Sequence, residues 1–303
     1  MEPNYRAMQE PYVSIVIPTY NDWDRLALCL DALKRQTYPK EKFEVIVVNN
    51  HPDDNTPPSF AIPDGYKIIT EKKSGSYAAR NAGLLQSKGA IIGFTDSDCI
   101  PAPDWIENAV SYFSSNKMCS RIAGKVEIYY KHATPNDVEL LEALFSFDQI
   151  YYVNSLGMGA TANMFSHRHV FDMIGNFRDD IMSGGDLEWG RRAKAAGYVI
   201  HYVKNVIVKH PARTSFKELK SKARRVGGGH SQIAPSGKRK YLRFILKLIK
   251  SFKPKFRETL FIYKQDKIGL KSKTNIFLMR YQLQVIRALE RFKVSIGKTP
   301  QRF

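Results

Sequence analysis

The chain has 303 residues, with 47 lysines and arginines against 29 aspartates and glutamates, and a formal net charge of +18. A hydrophobic fraction of 43% is ordinary for a globular protein and excludes wholesale disorder. Three cysteines (Cys29, Cys99 and Cys119) are too few and too scattered for a disulfide framework or a zinc knuckle, and they fit a reducing, cytosolic compartment. The polar N-terminus lacks a signal-peptide core, and no apolar run reaches the roughly 18 residues of a membrane-spanning helix.

The charge is unevenly distributed along the chain. Residues 1–210 contain 22 lysines and arginines and 25 aspartates and glutamates, whereas residues 211–303 contain 25 and 4, so the two parts carry net charges of −3 and +21. A region this basic attracts phosphate, whether in nucleic acid, anionic lipid head groups or a phosphorylated substrate. The alternative is a set of solvated helices, although solvated faces usually interleave both signs.

Short apolar runs rich in β-branched residues predict the strands of a sheet. They are Val13–Pro18, Val45–Val48, Lys67–Thr70 and Ala90–Thr95. Helical spacing of apolar residues predicts the segments between and after them to be helices, at Asp22–Gln36, Ser76–Ser87, Asp104–Ser114 and Asp137–Phe147, the last two each opened by a capping aspartate. Pro52–Gly65, rich in proline, predicts a loop. Strands that alternate with helices predict an α/β fold with a mostly parallel sheet.

The basic C-terminal part has its own pattern. Val226–Lys238 is rich in glycine, serine and proline and predicts a hinge. Beyond it, Lys240, Arg243, Lys247 and Lys250 recur at spacings of three and four, which predicts a basic amphipathic helix. A second amphipathic helix is predicted over Asn275–Phe292. We therefore predict two domains, residues 1–215 and a helical region over 216–303.

Acidic residues directly follow one of the predicted strands. Asp96, Ser97 and Asp98 come after Ala90–Thr95, and ligands of open α/β sheets bind beyond the carboxyl ends of strands. Two carboxylates at this spacing are able to engage a divalent cation and a ribose together, and oxygen ligands suit Mg²⁺ or Mn²⁺. A solvated acidic turn is the alternative, which the buried strand before it disfavours.

Other candidate residues lie at turns into predicted helices. Pro18, Thr19 and Tyr20 lead from the first strand into a helix and could form one wall of a nucleotide pocket, and an ordinary strand-to-helix turn is the alternative. Gly75 allows a close backbone approach before a helix N-terminus that suits an anion, and Arg80 and Asn81 follow one turn later.

Two carboxylates and a histidine near residue 200 complete the candidates. Asp186 and Glu188 open a predicted helix, where a carboxylate could act as a general base or simply cap the helix. His210 follows an apolar run and could bind a metal through its imidazole, although a single histidine is more often a surface or core residue.

Taken in order, these motifs resemble those of the glycosyltransferase family 2 enzymes, which have the GT-A fold, over residues 12–215. The matching segments are Ile17–Asn21, Ala79–Gly83, Asp96–Asp98, Gly159–Phe177, Gly185–Asp186 with Arg192, and His210. The sequence departs from the family at Asn49 and Asn50, where the family usually has two aspartates that face the nucleotide. An asparagine oxygen still accepts from the N3–H of uracil but carries no charge.

The resemblance implies an inverting transfer of a sugar from a nucleoside-diphosphate sugar, UDP being favoured and GDP or dTDP left open, to an acceptor hydroxyl. It implies Asp186 as general base with Glu188 as the alternative, and Asp98 and His210 as ligands of Mn²⁺ or Mg²⁺. The donor would contact Pro18, Thr19, Tyr20, Asn49, Asn50, Gly75, Arg80, Asn81, Asp96 and Ser97.

Related enzymes often act on lipid-linked acceptors, so we expect a glycan or polyprenyl-diphosphate-linked acceptor and peripheral attachment of residues 216–292 to the cytoplasmic face of an anionic membrane. Two other functions compete with this interpretation. A sugar nucleotidyltransferase would usually carry a Gly-rich phosphate loop after the first strand, where Pro18–Asn21 stands here. A nucleic-acid-binding protein would account for the basic region, but no nucleic-acid motif is present and we expect no such partner.

Overall fold

The computed structural model describes residues 10–51, 53, 57, 60–232 and 248–298. The chain forms two compact units. Unit 1 comprises the chain up to Glu127 together with Phe147–Asp179 and Asp186–His210. Unit 2 comprises Ile128–Ser146, Asp180–Gly185 and the chain from Pro211 onwards. Two short segments that precede the basic region in sequence thus belong to the same unit as that region.

One sheet of eight strands organises the fold of the described residues. The strands are β1 (Val13–Thr19), β2 (Phe43–Asn49), β3 (Tyr66–Thr70), β4 (Ile91–Thr95), β5 (Ile100–Pro101), β6 (Arg121–Tyr129), β7 (Asn163–His167) and β8 (Ile200–Pro211). Their order in the sheet is β3-β2-β1-β4-β7-β6-β8-β5. Strands β3, β2, β1 and β4 run parallel to one another, whereas β7 is antiparallel to both β4 and β6, and β5 is antiparallel to β8. The predicted α/β fold and all four predicted strands are confirmed.

The parallel strands form because their side chains are apolar on both faces. Every residue of β1 and β2 is buried, as the continuous runs of valine and isoleucine predict. The two strands pair from Val13 opposite Phe43 to Thr19 opposite Asn49, so they end side by side. Polar residues that follow β1, β2 and β4 therefore come together at one edge of the sheet.

Ten α-helices lie within the described residues, besides a 3₁₀ turn at Lys40–Lys42 and a short helical stretch over 248–251. They are α1 (Trp23–Lys34), α2 (Ser76–Gln86), α3 (Trp105–Ser115), α4 (Asp137–Phe145), α5 (Gln149–Tyr151, continued by a π-helical turn), α6 (Arg168–Ile174), α7 (Gly185–Ala195), α8 (Phe216–Gln232), α9 (Phe256–Tyr263) and α10 (Leu270–Ser295). In unit 1, α1 buries Leu26, Leu30 and Leu33 at helical spacing, and Trp105 of α3 joins the same core. Unit 2 has its own core, formed by Leu141, Leu219, Ala223, Ile262, Ile276 and Leu283.

The helices predicted within the described residues are confirmed, but neither predicted aspartate caps its helix through its side chain. Asp104 stands at the N-cap position of α3 without a side-chain cap hydrogen bond. Helix α4 begins at Asp137, but its cap is Asn136, whose side chain accepts from the Val138 and Glu139 backbone amides while Glu139 reaches back in a capping box. The prediction of Asp137 as the cap is therefore wrong. Its carboxylate instead accepts a hydrogen bond from Asn275 of α10, 2.7 Å away.

The predicted hinge over Val226–Lys238 is wrong as far as Gln232, because α8 continues through its three glycines. Glycine in a helix interior costs about 1 kcal/mol relative to alanine, so these residues need a packing reason. Gly227 has one, since a Cβ there would lie 2.7 Å from the Arg287 carbonyl oxygen of α10. The rest of this segment, and most of the basic helix predicted after it, lie outside the described residues.

No helix among the described residues is long and apolar enough to cross a bilayer.

Candidate active site

All fourteen residues proposed from the sequence for the site lie in unit 1. Asp96, Ser97 and Asp98 follow directly after β4. The Asp96 carboxylate accepts from the Arg80 guanidinium, with Nη2 and Oδ1 2.5 Å apart. Arg80 is only 4% exposed, and its guanidinium also lies 5.6 Å from the centre of the Tyr77 ring. This pair joins α2 to the end of β4.

Two buried polar atoms at this edge are free to bind a ligand. The Nε of Arg80 and the Oγ1 of Thr19, at the end of β1, have no hydrogen-bond partner among the described residues. Buried donors and acceptors are nearly always paired, with protein, water or ligand, because an unpaired one costs about 1–3 kcal/mol. A polar ligand at the strand ends would satisfy both atoms.

Ser97 and Asp98 contact the start of α1. The Ser97 hydroxyl donates to Asp22 Oδ2 at 2.9 Å, and Asp22 in turn accepts from Arg25 Nε at 2.6 Å. Asp98 Oδ2 lies 3.5 Å from Arg25 Nη1. Sequence reasoning missed Asp22 and Arg25 as site residues, although their spacing of three, directly after the first strand and turn, was a usable signal.

Asp98 and His210 come together as the family resemblance implied. Asp98 Oδ2 lies 3.4 Å from His210 Nε2, and His210 is buried with its ring 4.7 Å from the Phe147 ring. Ligand atoms at about 2.1 Å from an octahedral Mg²⁺ or Mn²⁺ lie about 3 Å apart when adjacent, so this spacing fits a shared ion. The described residues hold no group of three or more candidate ligands around such an ion. The remaining positions would thus fall to phosphate oxygens and water, as is usual for Mg²⁺.

The side-chain amide of Asn50 is hydrogen-bonded to the backbone of residues 71–75 and holds that loop in place. Its Nδ2 donates to the carbonyl oxygens of Glu71 and Lys73 at 2.9 and 2.8 Å, and its Oδ1 accepts from the Gly75 amide at 2.7 Å. Gly75 needs this support because its φ of 132° lies in a region that side chains rarely adopt. The neighbouring Asn49 Oδ1 accepts from the His51 amide at 3.0 Å.

Tyr20, Pro18 and Asn81, also predicted to contact the donor, lie in three different environments. Tyr20 is well exposed and packs its ring 4.8 Å from that of His51. Pro18 lies within β1 opposite Val48. Asn81 exchanges two hydrogen bonds with the backbone of Phe177, at 2.8 and 3.1 Å. The side chain of Asn81 is therefore committed to joining α2 to the segment after α6.

Asp186 lies partly buried in the first turn of α7. Its carboxylate accepts from the amide and the hydroxyl of Thr161 at 3.3 and 3.2 Å, and its own amide donates to the Tyr77 hydroxyl at 3.4 Å. Burial raises the pKa of Asp186, and Arg80 and Thr161 oppose that rise. Arg80 and Asp96, which form an ion pair with each other, thus have opposite effects on the pKa of Asp186. Sequence reasoning missed Thr161 and Tyr77, because neither is charged, although Thr161 lies within the family-like segment Gly159–Phe177.

Glu188 is occupied by an ion pair one turn further along α7. It accepts from Arg192 Nε and Nη2 at 2.8 and 3.0 Å. Arg192 also donates to the carbonyl oxygens of Ile174 and Asn176. The pair thus anchors α7 to the end of α6, and Asp186 is the less encumbered of the two predicted carboxylates.

Comparison with known proteins shows relatives in sequence and in fold. A family model described as Glycosyl transferase family 2 matches residues 14–173. Glycosyltransferase AglE of Haloferax volcanii is 39% identical over 231 residues, 74% of either chain. A dolichyl N-acetyl-alpha-D-glucosaminyl phosphate 3-beta-D-2,3-diacetamido-2,3-dideoxy-beta-D-glucuronosyltransferase of Methanococcus voltae is 22% identical over 69% of either chain. The structure of mannosyltransferase PcManGT from Pyrobaculum calidifontis, solved with GDP-Man and Mn²⁺, is 19% identical and superposes with a TM-score of 0.54 over 97% of this chain and 78% of that one. The chain belongs to glycosyl transferase family 2 and is a glycosyltransferase of the hexosyltransferase type.

Proposed function

We propose that this enzyme is a metal-dependent, inverting glycosyltransferase that moves a sugar from a nucleoside-diphosphate sugar to a hydroxyl of a lipid-linked or surface-polysaccharide glycan. The observation that carries the proposal is the Arg80–Asp96 ion pair at the edge where Asp98 also meets His210, with Asp186 under the electrostatic influence of that pair. These groups would supply a positively charged anchor, a cation site and a base.

The donor would bind at the ends of β1, β2 and β4. The Nε of Arg80 and the Oγ1 of Thr19 would bond its polar atoms, and a guanidinium is suited to a diphosphate or a base edge. Tyr20 and Asn49 would line the nucleoside, while Gly75, held by Asn50, would let the backbone approach it. The family favours UDP, but PcManGT was solved with GDP-Man, so the base is the first thing to measure.

Asp98 and His210 would hold Mn²⁺ or Mg²⁺, which neutralises negative charge on a departing nucleoside diphosphate. The bound Mn²⁺ of PcManGT supports this assignment. Arg25, 3.5 Å from Asp98, would add a second positive charge on the same side of the site. The burial of His210 against Phe147 would hold one of these two ligands in place.

Asp186 would accept the proton of the acceptor hydroxyl. Displacement in line by that oxygen inverts the sugar carbon in a single step, so no covalent enzyme intermediate is required. The raised pKa of Asp186 makes it a stronger base than an exposed aspartate, and general-base help is typically worth about 10²–10⁴-fold. The Thr161 amide and hydroxyl would orient the carboxylate.

The acceptor would be a lipid-linked glycan, since the Methanococcus voltae relative is named for a dolichyl phosphate substrate. Unit 2 presents a matching surface at residues 249–271, which we call the basic-apolar segment. Its exposed apolar side chains are Ile249, Phe252, Phe256, Leu260, Phe261 and Leu270. Its cations are Lys250, Lys253, Lys255, Arg257, Lys264, Lys267 and Lys271. Each cation near an anionic bilayer is worth about 1 kcal/mol, which suits peripheral attachment to the cytoplasmic face of a membrane.

Vesicle flotation tests this attachment. We expect binding to vesicles that contain anionic lipid, loss of binding at high salt, and weaker binding of Leu270→Ser. The matched control is Leu85→Ser, at another well-exposed leucine on α2 of unit 1. Equal binding of both variants, or none to anionic vesicles, would remove the membrane from the proposal.

A nucleotide panel tests the function itself. UDP, GDP, dTDP and CMP are added to the protein with and without Mn²⁺, and the melting temperature is followed. A ligand at 100 times its dissociation constant stabilises a fold by about 2.7 kcal/mol, which is readily detected. We expect a metal-dependent rise with one nucleoside diphosphate, and sugar transfer from the matching donor. No rise with any nucleotide, or release of diphosphate from a nucleoside triphosphate, would refute the transferase proposal.

A further inference from the structure

The three consecutive glycines of α8 contact two different neighbours. In an α-helix, residues i and i+2 are separated by about 200° of rotation about the axis, so they point to nearly opposite sides. A Cβ at Gly227 would meet α10, at 2.7 Å from the Arg287 carbonyl oxygen. A Cβ at Gly229 would instead meet Ser183, at 2.2 Å from its carbonyl oxygen and 2.8 Å from its Cβ. Helix α8 is thus packed closely on both sides within unit 2, and the second side faces the segment Asp180–Gly185.

That segment leads directly to the proposed base. Ser183 precedes Asp186 by three residues, and α7 begins at Gly185. Ile181 and Ser183 are both buried, and Gly184 has a φ of 88°, so the segment has one tightly defined path. Because no side chain stands between the two backbones, the close approach of Gly229 to Ser183 constrains the path of this segment.

We propose that Gly229 is a positioning residue, whose bare backbone seats the Asp180–Gly185 segment and thereby fixes the Asp186 carboxylate against Thr161. This inference rests on the proposed role of Asp186. A Cβ at residue 229 would lie 2.2 Å from the Ser183 carbonyl oxygen, whereas an ordinary contact between these atoms is 3.4 Å or longer. The segment would have to move by about 1 Å, and a misplacement of that size can cost about 10²-fold in rate.

The test compares Gly229→Ala with Gly227→Ala, which adds the same methyl group on the opposite side of the same helix. Melting temperature, nucleoside-diphosphate affinity with Mn²⁺, kcat and the pH profile of kcat are measured for both. For Gly229→Ala we expect kcat to fall about 10- to 100-fold with nucleotide affinity within about twofold of wild type. We also expect the acidic limb of the kcat–pH profile of Gly229→Ala to move to lower pH, because a displaced Asp186 would lose the burial that raises its pKa. Gly227→Ala should lower the melting temperature without either kinetic change.

Equal kcat in the two variants would overturn the inference, and so would an unmoved pH profile in Gly229→Ala. Asp186→Asn separates this from the function proposal, because full activity in that variant refutes the base role itself. Should Gly229→Ala fail to fold, amide hydrogen exchange on the wild-type protein provides a second test. We expect residues 183–186 to exchange with the same opening free energy as residues 226–229. Fast exchange of residues 183–186 beside a protected α8 would overturn the proposal.

Discussion

Replacing Asn50 by aspartate would introduce the residue type that the family usually has at this position, and we expect it to destabilise this enzyme. The amide of Asn50 donates to the carbonyl oxygens of Glu71 and Lys73 and accepts from the Gly75 amide. A carboxylate keeps only the last of these bonds. It also turns a negatively charged oxygen toward two carbonyl oxygens at a residue that is 5% exposed.

The size of the effect follows from the lost contacts. Each hydrogen bond contributes about 0.5–1.5 kcal/mol net, so the two donated bonds together account for about 1–3 kcal/mol. Repulsion between the buried carboxylate and the carbonyl groups adds to this loss. We expect a total of about 2–4 kcal/mol at pH 8, or a fall in melting temperature of roughly 4–10 °C.

The same arrangement predicts a pH dependence for Asn50→Asp. Burial beside carbonyl oxygens raises the pKa of the new carboxyl above its unfolded value, so protonation favours the folded state, and the neutral group can donate one of the lost bonds. The stability deficit should therefore shrink as the pH falls from 8 to 5. Asn50→Ala is the control, because it loses all three bonds without adding a charge. Unfolding is followed at several pH values, and a deficit for Asn50→Asp that is absent, or unchanged with pH, would refute the reasoning.

Two further predictions concern ion pairs. Arg80→Lys should weaken nucleoside-diphosphate binding at least about tenfold in a titration, because lysine cannot present the forked donors of arginine, and unchanged affinity would contradict the donor assignment. Burial would raise the pKa of Glu139, but hydrogen bonds from the Asn136, Lys131 and His132 amides and the His132 ring hold that pKa at about 2. This pKa lies below the unfolded value of about 4.3, so the ionised Glu139 stabilises the folded state at neutral pH. In urea unfolding, the free energy by which wild type exceeds Glu139→Gln should be full at pH 5 and shrink as the pH falls toward 2. A difference that stays constant with pH would contradict this prediction.

Four of the eight strands could be predicted because they are short apolar runs rich in valine and isoleucine, and helix α1 because leucine recurs at helical spacing. The position of Asp96–Asp98 followed from the same logic, since a buried strand leads into it. The fold then brings Asp98 to His210, more than a hundred residues later, as the resemblance implied.

Other parts of the site depend on contacts that local sequence does not contain. The bracing role of Asn50 requires knowing that residues 71–75 return past the end of β2. The three glycines of α8 were mistaken for a hinge, because a glycine run is typical of flexible chain unless a neighbouring backbone needs the space. Thr161 and Tyr77 contact Asp186 from other parts of the chain, and local sequence does not show that these contacts form.

The base role of Asp186 is tested most directly by measuring nucleotide affinity and kcat on one preparation of Asp186→Asn. Asparagine keeps the shape and one acceptor toward Thr161 but cannot take a proton from the acceptor hydroxyl. We expect the dissociation constant for the nucleoside diphosphate with Mn²⁺ to stay within about twofold of wild type, while kcat falls about 10²–10⁴-fold. Glu188→Gln, which only weakens the pair with Arg192, should retain most activity. Near-normal turnover by Asp186→Asn would contradict the proposed mechanism and move the base role to Glu188 or another group.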